Sequence, residues 1–189
     1  MRVAASQGRG MTASISRRWS ARRGVLASGL VFAILSVAVA LFVLNGNRSA
    51  PAMAFTTLTG QRIGAEQLRG RVILVNFWAT TCTVCVREMP QIVETWRTYA
   101  PRGLEVVAIA MSYDRPDWVV DYARRKALPF SVALDYDATL SRAFGGIHAT
   151  PTSFLIDKRG RIVQRIVGEP NFDRLRLAIE RELARPVPG

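Results

Sequence analysis

The sequence predicts an α/β domain: a mixed β-sheet flanked by helices, with an N-terminal hairpin and an inserted helix, preceded by one transmembrane helix. Three observations carry this expectation. Apolar runs of strand length alternate with segments whose apolar residues recur at helical spacing, as in parallel strands joined by crossover helices. The last two strand-like segments are separated only by a turn, so they pair antiparallel and make the sheet mixed. A run of twenty residues without a charged side chain, 25–44, precedes all of them.

Taken in order, residues 1–24 hold six arginines and no acid among mostly Gly, Ser and Ala, the composition of a disordered tail. A helix of ~20 apolar residues crosses a ~30 Å hydrocarbon core, so 25–44 is expected to span a membrane. Arginines crowd its N-terminal side, which places Met1 in the cytoplasm and everything after the span outside it. The expected location is the cell inner membrane, single-pass, with the domain that follows the span in the periplasm or extracytoplasmic space. A cleaved signal peptide is the competing reading, because Ala52-Met53-Ala54 resembles a cleavage site. However, an h-region is normally ~7–15 residues, and here the site lies well past a longer run. Arg22-Arg23 also loosely resembles a twin-arginine export signal, ahead of a segment very apolar for one.

The net charge of +12 does not point to nucleic acid. The tail and Arg48 hold seven of the basic residues, and from Pro51 onward 19 Lys and Arg face 14 Asp and Glu. The tail charge suits anionic lipid heads. Residues 45–54, with Ser49-Ala50-Pro51, read as a linker, 55–185 as one domain long enough for a core, and 186–189 as a short tail.

Within the domain, Phe55 to Leu58 and Gln61 to Ile63 flank Thr59-Gly60 as a hairpin. Glu66-Gln67-Leu68-Arg69-Gly70 reads as a helical turn stopped by glycine. The run 71–77 is a buried strand. A helix follows from Cys82 to about Ala100, with Met89, Ile92, Val93, Trp96 and Tyr99 at core spacing and Pro90 expected to kink it. Residues 104–111 form a second buried strand. Tyr113-Asp114-Arg115-Pro116 starts a helix running to about Ala127, and 130–134 is a short strand. Asp135 and Asp137 suit the start of a helix over 138–144 that Gly145-Gly146 stops. The final hairpin is 152–156 and 161–167, and Asn171 caps a last helix to about Arg185.

Cys82 and Cys85 are the only cysteines. Two thiols three residues apart can close a small disulfide with little backbone movement and cycle between dithiol and disulfide. A helix N-terminus offers unpaired N–H groups and a positive dipole end, which favour the Cys82 thiolate; Cys85, one turn in, is suited to resolve a mixed disulfide. A permanent staple is the competing reading, but staples stabilise most when they close longer loops. Structural zinc wants four ligands, and beyond the two cysteines only His148 remains among sulfur and imidazole ligands. No metal and no cofactor are expected.

The run Val72 to Pro90, containing Asn76-Phe77-Trp78-Ala79-Thr80-Thr81-Cys82-Thr83-Val84-Cys85, resembles the active site of the thioredoxin superfamily. About 65 residues later come Thr150-Pro151-Thr152-Ser153-Phe154-Leu155-Ile156-Asp157 and Gly160. Together the motifs resemble the membrane-anchored TlpA/ResA-like thiol–disulfide oxidoreductases, which include the cytochrome c maturation reductases, over roughly 55–184. The resemblance implies a thioredoxin-like sheet, with the helix after Asp114 as the family's insertion. It also implies that Pro151 is a cis-proline facing the CxxC and, with Thr150, binds an extended substrate peptide. Asn76 stands where thioredoxin has a buried Asp. Glu88 matches the Glu that TlpA-like members carry three residues after the second cysteine, which implies an acid/base role for the Cys85 proton; the plainer reading is a solvated helix residue. Thr81 replaces the usual Trp before the first cysteine, and Val84 replaces the Pro common before the second. Potential and partner docking therefore transfer less well than mechanism.

The expected function is reduction of disulfides in exported proteins by an extracytoplasmic thiol–disulfide oxidoreductase, in cytochrome c biogenesis or a similar task. Its expected partners are disulfide-bonded exported proteins, a membrane electron donor of thiol type, and the membrane through 25–44. Four alternatives stay open: a disulfide oxidase of the same fold; a thiol peroxidase, for which Thr80 and Thr81 lie near the reactive sulfur without the expected Pro; Cu(I) delivery by the CxxC pair with His148; and a tethered domain that only binds partners.

Overall fold

The computed structural model describes residues 34–37, 49–64 and 66–187. The chain divides into two units, Met1–Asn47 and Arg48–Gly189. Of the first, only 34–37 is described, as helix inside the expected membrane span. The expected tail over 1–24 and the rest of 25–44 lie outside the described residues. Among the described residues no helix is long and apolar enough to cross a membrane.

The second unit is the α/β domain. Its elements are β1 (Ala54–Thr56), β2 (Arg62–Gly64), β3 (Val72–Trp78), α1 (Thr83–Tyr99), β4 (Leu104–Ala110), α2 (Pro116–Arg125), β5 (Ser131–Leu134), α3 (Thr139–Ala143), β6 (Thr152–Ile156), β7 (Ile162–Val167) and α4 (Phe172–Ala184). A single 3₁₀ turn, Ala100–Arg102, follows α1. Five strands form one sheet in the order β5-β4-β3-β6-β7. β3 pairs parallel with β4, and β4 with β5, while β6 pairs antiparallel with β3 and with β7. The sheet is mixed, as the alternation of the first three strands with helices and the terminal hairpin require.

β3 lies in the centre with all seven residues buried, which is why its sequence is an apolar run broken only by Asn76. Side chains alternate between faces. Leu74 and Trp78 meet Met89 and Ile92 of α1, Tyr122 of α2 and Ile179 of α4. Ile73, Val75 and Phe77 meet Phe55 and Ile63 of the hairpin, and Phe144 beyond α3. Asn76 has the parity of Leu74 and Trp78, so it points under α1. The β1–β2 hairpin pairs Phe55 with Ile63 and docks on the β5 edge, where Leu58 N–H donates to the Val132 carbonyl at 2.9 Å. Asn171 caps α4 as expected, its side chain accepting the Arg174 N–H.

Several elements differ from expectation for local reasons. Residues 66–70 do form turns, as expected, and do not extend into a helix: Arg69 N–H reaches Glu66 O and Arg71 N–H reaches Leu68 O, three residues back each time. The buried Leu68 anchors them to the sheet. Residues 49–53 are no free linker. Ala50 N–H donates to Gly160 O at 2.8 Å and Met53 is buried. The third helix starts late, at Thr139, because Ala138 takes a left-handed conformation (φ 58°) and the Asp135 carboxylate collects the Leu140 and Ser141 N–H groups.

Ile92 is 1% exposed between α1 and the sheet. Ile92→Ala should destabilise the domain by about 3 kcal/mol, transfer and cavity terms together, as read by urea unfolding.

Candidate active site

β3 delivers the chain to the middle of one sheet end, and the turn 79–81 passes it to α1. Cys82 is the N-cap of α1: its backbone is extended (φ −87°, ψ 103°) and its sulfur accepts the Cys85 N–H at 3.2 Å. Cys82 N–H in turn donates to Ala79 O at 3.2 Å. The two cysteines are disulfide-bonded, with Cα atoms 5.2 Å apart. Cys85 is fully buried against the core; Cys82 is half-buried and is the sulfur that solvent reaches. A thiolate at Cys82 would sit on the free N–H groups and positive dipole end of a 17-residue helix.

The second half of the site leaves the same sheet end from β6. The Thr150–Pro151 peptide bond is cis, and the Thr150 carbonyl oxygen lies 3.5 Å from the Cys82 sulfur. The Pro151 carbonyl accepts the Gly168 N–H at 2.8 Å, which ties the loop to the end of β7. The structure thus brings Cys82, Cys85, Thr150 and Pro151 together.

Glu88, one turn beyond Cys85, is fully buried, so the solvated-helix reading of this residue fails. Its Oε1 accepts from Asn76 Nδ2 at 3.0 Å, and the same Nδ2 donates to Ser153 Oγ at 3.0 Å. Asn76 and Ser153 are cross-strand partners in the β3–β6 ladder. Glu88 Oε2 and Asn76 Oδ1 are buried without a hydrogen-bond partner. Burial pushes the Glu88 carboxyl up to about 7; the Asn76 hydrogen bond opposes this, nearby Glu169 adds to it, and Arg87 opposes it weakly. At neutral pH this carboxyl is poised to give or take a proton. Arg87 itself points outward and pairs with Glu169 at 2.5 Å.

His148 is exposed in the loop ahead of Thr150. Two contacts have no counterpart in the sequence reading. Thr80 is held by the buried Asp114, and Tyr113 OH lies 3.2 Å from Thr150 Oγ1. At Tyr113 and Asp114 the only sequence signal was the start of a helix, whereas Thr80 and Thr150 stood within the two motifs.

A central strand running into a CxxC helix start, with a cis-proline loop against the outer sulfur, defines a thiol–disulfide oxidoreductase of the thioredoxin type. The chain belongs to the Redoxin family, whose sequence model matches residues 44–178. It is similar to the thiol-disulfide oxidoreductase ResA of Bacillus thuringiensis strain Al Hakam, 33% identical over 157 residues that cover 77% of this chain and 89% of that protein. Two solved structures share the fold at a TM-score of 0.67. A candidate thioredoxin of Neisseria meningitidis is 38% identical, over 71% of this chain and 89% of that one. A thiol:disulfide interchange protein of Chlorobium tepidum is 31% identical, over 72% and 97%. The protein is therefore a ResA/TlpA-like member of the thioredoxin superfamily and a protein-disulfide oxidoreductase.

The Glu88 carboxyl has a definite linkage sign. Its native pKa, about 7, lies above the ordinary value of 4.5, so its contribution to stability is full below pH 4.5 and is lost as pH rises through 7. The loss is on the order of 3 kcal/mol. The difference in unfolding free energy between the parent chain and Glu88→Gln should therefore drift by that amount between pH 4 and 8, in favour of the variant at high pH.

Proposed function

We propose that this chain is a membrane-anchored reductase of disulfides in exported proteins, working outside the cytoplasm through Cys82 and Cys85. The observation that carries the reading is the asymmetry of the two cysteines: one half-buried at a helix start beside the cis-proline loop, the other sealed beneath it. In the reduced enzyme the Cys82 thiolate attacks a substrate disulfide, forming a mixed disulfide and expelling one substrate thiolate. Glu88 takes the proton of the Cys85 thiol. The Cys85 thiolate then attacks the Cys82 sulfur, and the second substrate sulfur leaves with the electron pair. Two electrons have passed to the substrate, and the enzyme is left with the Cys82–Cys85 disulfide.

Thr150 and Pro151 hold an extended substrate segment across from Cys82 through their backbone groups. An extracytoplasmic reductase must be recharged, since that compartment is oxidising, and a thiol-type donor in the membrane supplies the electrons. The uncharged run 25–44 and its arginine-rich flank support the anchor and the orientation. The likeness to a thiol-disulfide oxidoreductase supports the exchange chemistry; the reducing direction and a client class such as cytochrome c apoproteins are what the resemblance of the two motifs implies. Tail, span, linker and catalytic domain then follow one another along the chain, with residues 49–53 already packed on the domain.

The reduced protein should reduce insulin, and Cys82→Ser should abolish this. Cys85→Ser should accumulate covalent adducts with exported proteins that dithiothreitol releases. An equilibrium potential above that of glutathione would make the enzyme an oxidant and overturn the direction. A mature protein that begins at Phe55 on N-terminal sequencing would overturn the anchor.

A further inference from the structure

The segment joining β4 to α2 touches both halves of the active site. Asp114 is buried at 6% exposure, yet its carboxylate is fully engaged. Oδ2 accepts the Thr80 N–H at 2.5 Å, and Oδ1 accepts both the Thr80 hydroxyl at 2.6 Å and the Arg115 N–H at 3.0 Å. Thr80 lies two residues before Cys82, in the turn that sets the start of α1. The neighbouring Tyr113 points the other way: its hydroxyl lies 3.2 Å from Thr150 Oγ1, on the residue whose carbonyl is 3.5 Å from the Cys82 sulfur. Main-chain bonds fix the base of the segment, Met111 N–H to Trp78 O at 3.0 Å and Asp114 N–H to Met111 O at 2.9 Å.

These contacts close a ring: Cys82, its preceding turn, Asp114, Tyr113, Thr150, and back to the sulfur. A buried carboxylate is costly unless its oxygens are satisfied, and here each of them accepts from the turn that presents the nucleophile. The tyrosine is mostly exposed, so packing alone does not account for where its hydroxyl rests. We propose that Tyr113 and Asp114 are positioning residues for disulfide exchange, Asp114 setting the presentation of Cys82 and Tyr113 setting the distance of the Thr150–Pro151 edge from it. The proposal rests on Cys82 as the attacking sulfur and on that edge as the place where substrate docks. It divides the labour: a small disulfide needs only the sulfur, whereas a protein disulfide needs the sulfur and the edge.

The test is stopped-flow exchange by the fully reduced protein with two substrates, 5,5′-dithiobis(2-nitrobenzoate) and insulin. Asp114→Asn places an amide donor against the Thr80 N–H, and Thr80→Val deletes the hydroxyl; each should slow both reactions about tenfold, the scale of one hydrogen bond to a charged acceptor. Thr80→Ser keeps the hydroxyl and should stay within about twofold of the parent on both. Tyr113→Phe should slow insulin reduction about fivefold and leave the small disulfide unchanged. That split is one a merely destabilised domain would not produce. If Asp114→Asn does not fold, the Thr80 pair carries the test, because that side chain is only half-buried. Parent rates on both substrates for folded Thr80→Val and Tyr113→Phe would overturn the proposal. Exchange that survives Cys82→Ser would instead overturn the reading of the site.

Discussion

The antiparallel pairing of β3 with β6 is the constraint on which the rest of the site depends. It sets Asn76 opposite Ser153 and Phe77 opposite Thr152. The loop before Cys82 and the loop through Pro151 therefore leave the sheet side by side at one end. Strand register is all-or-none for side-chain direction: a slip of one residue sends every side chain to the other face. Here such a slip would separate Ser153 from Asn76 and carry the cis-proline away from the sulfur. Asn76 guards against it: a slip would take its amide from Glu88 and Ser153 and bury it among the apolar side chains of the other face.

The same register builds the only polar interruption of the central strand. An amide in that position donates to a carboxyl on the overlying helix without adding a second titrating group. Two buried acids would repel, and their protons would leave in coupled steps. With Asn76 there is one carboxyl, and its proton affinity is set mainly by how little water reaches it. The cost of that dehydration falls on folding and its benefit on proton transfer, the usual arrangement at a functional centre.

Most of the fold was legible because its signals are local. Unbroken apolar runs marked β3 and β4, helical spacing marked α1 and α4, and a turn marked the last hairpin. The two cysteines and Thr150–Pro151 were legible as motifs. What was hidden depends on contacts between distant residues. Asp114 and Thr80 are 34 residues apart, and no periodicity links them. The burial of Glu88 was ambiguous: it shares a helix face with Cys85, Met89 and Ile92, yet most Glu side chains are solvated, and its partner Asn76 lies on a separate strand. The packing of 49–53 was missed because Pro and Ala there carry no strand pattern, and their partner, Gly160, sits over a hundred residues away. Composition also misled at Ala138, where an ordinary helix-forming residue adopts a left-handed conformation because Asp135 holds the following N–H groups.

The complete enclosure of Cys85 has a bearing on chemical damage. A peroxide molecule diffusing in from solvent meets one sulfur of the pair and not the other. A sulfenic acid formed on Cys82 would rest against a thiol that nothing else has consumed. Condensation would expel water and restore the ring found here, before a second oxygen could convert the group to an irreversible acid. Hiding one partner thus gives the other a built-in route of self-repair.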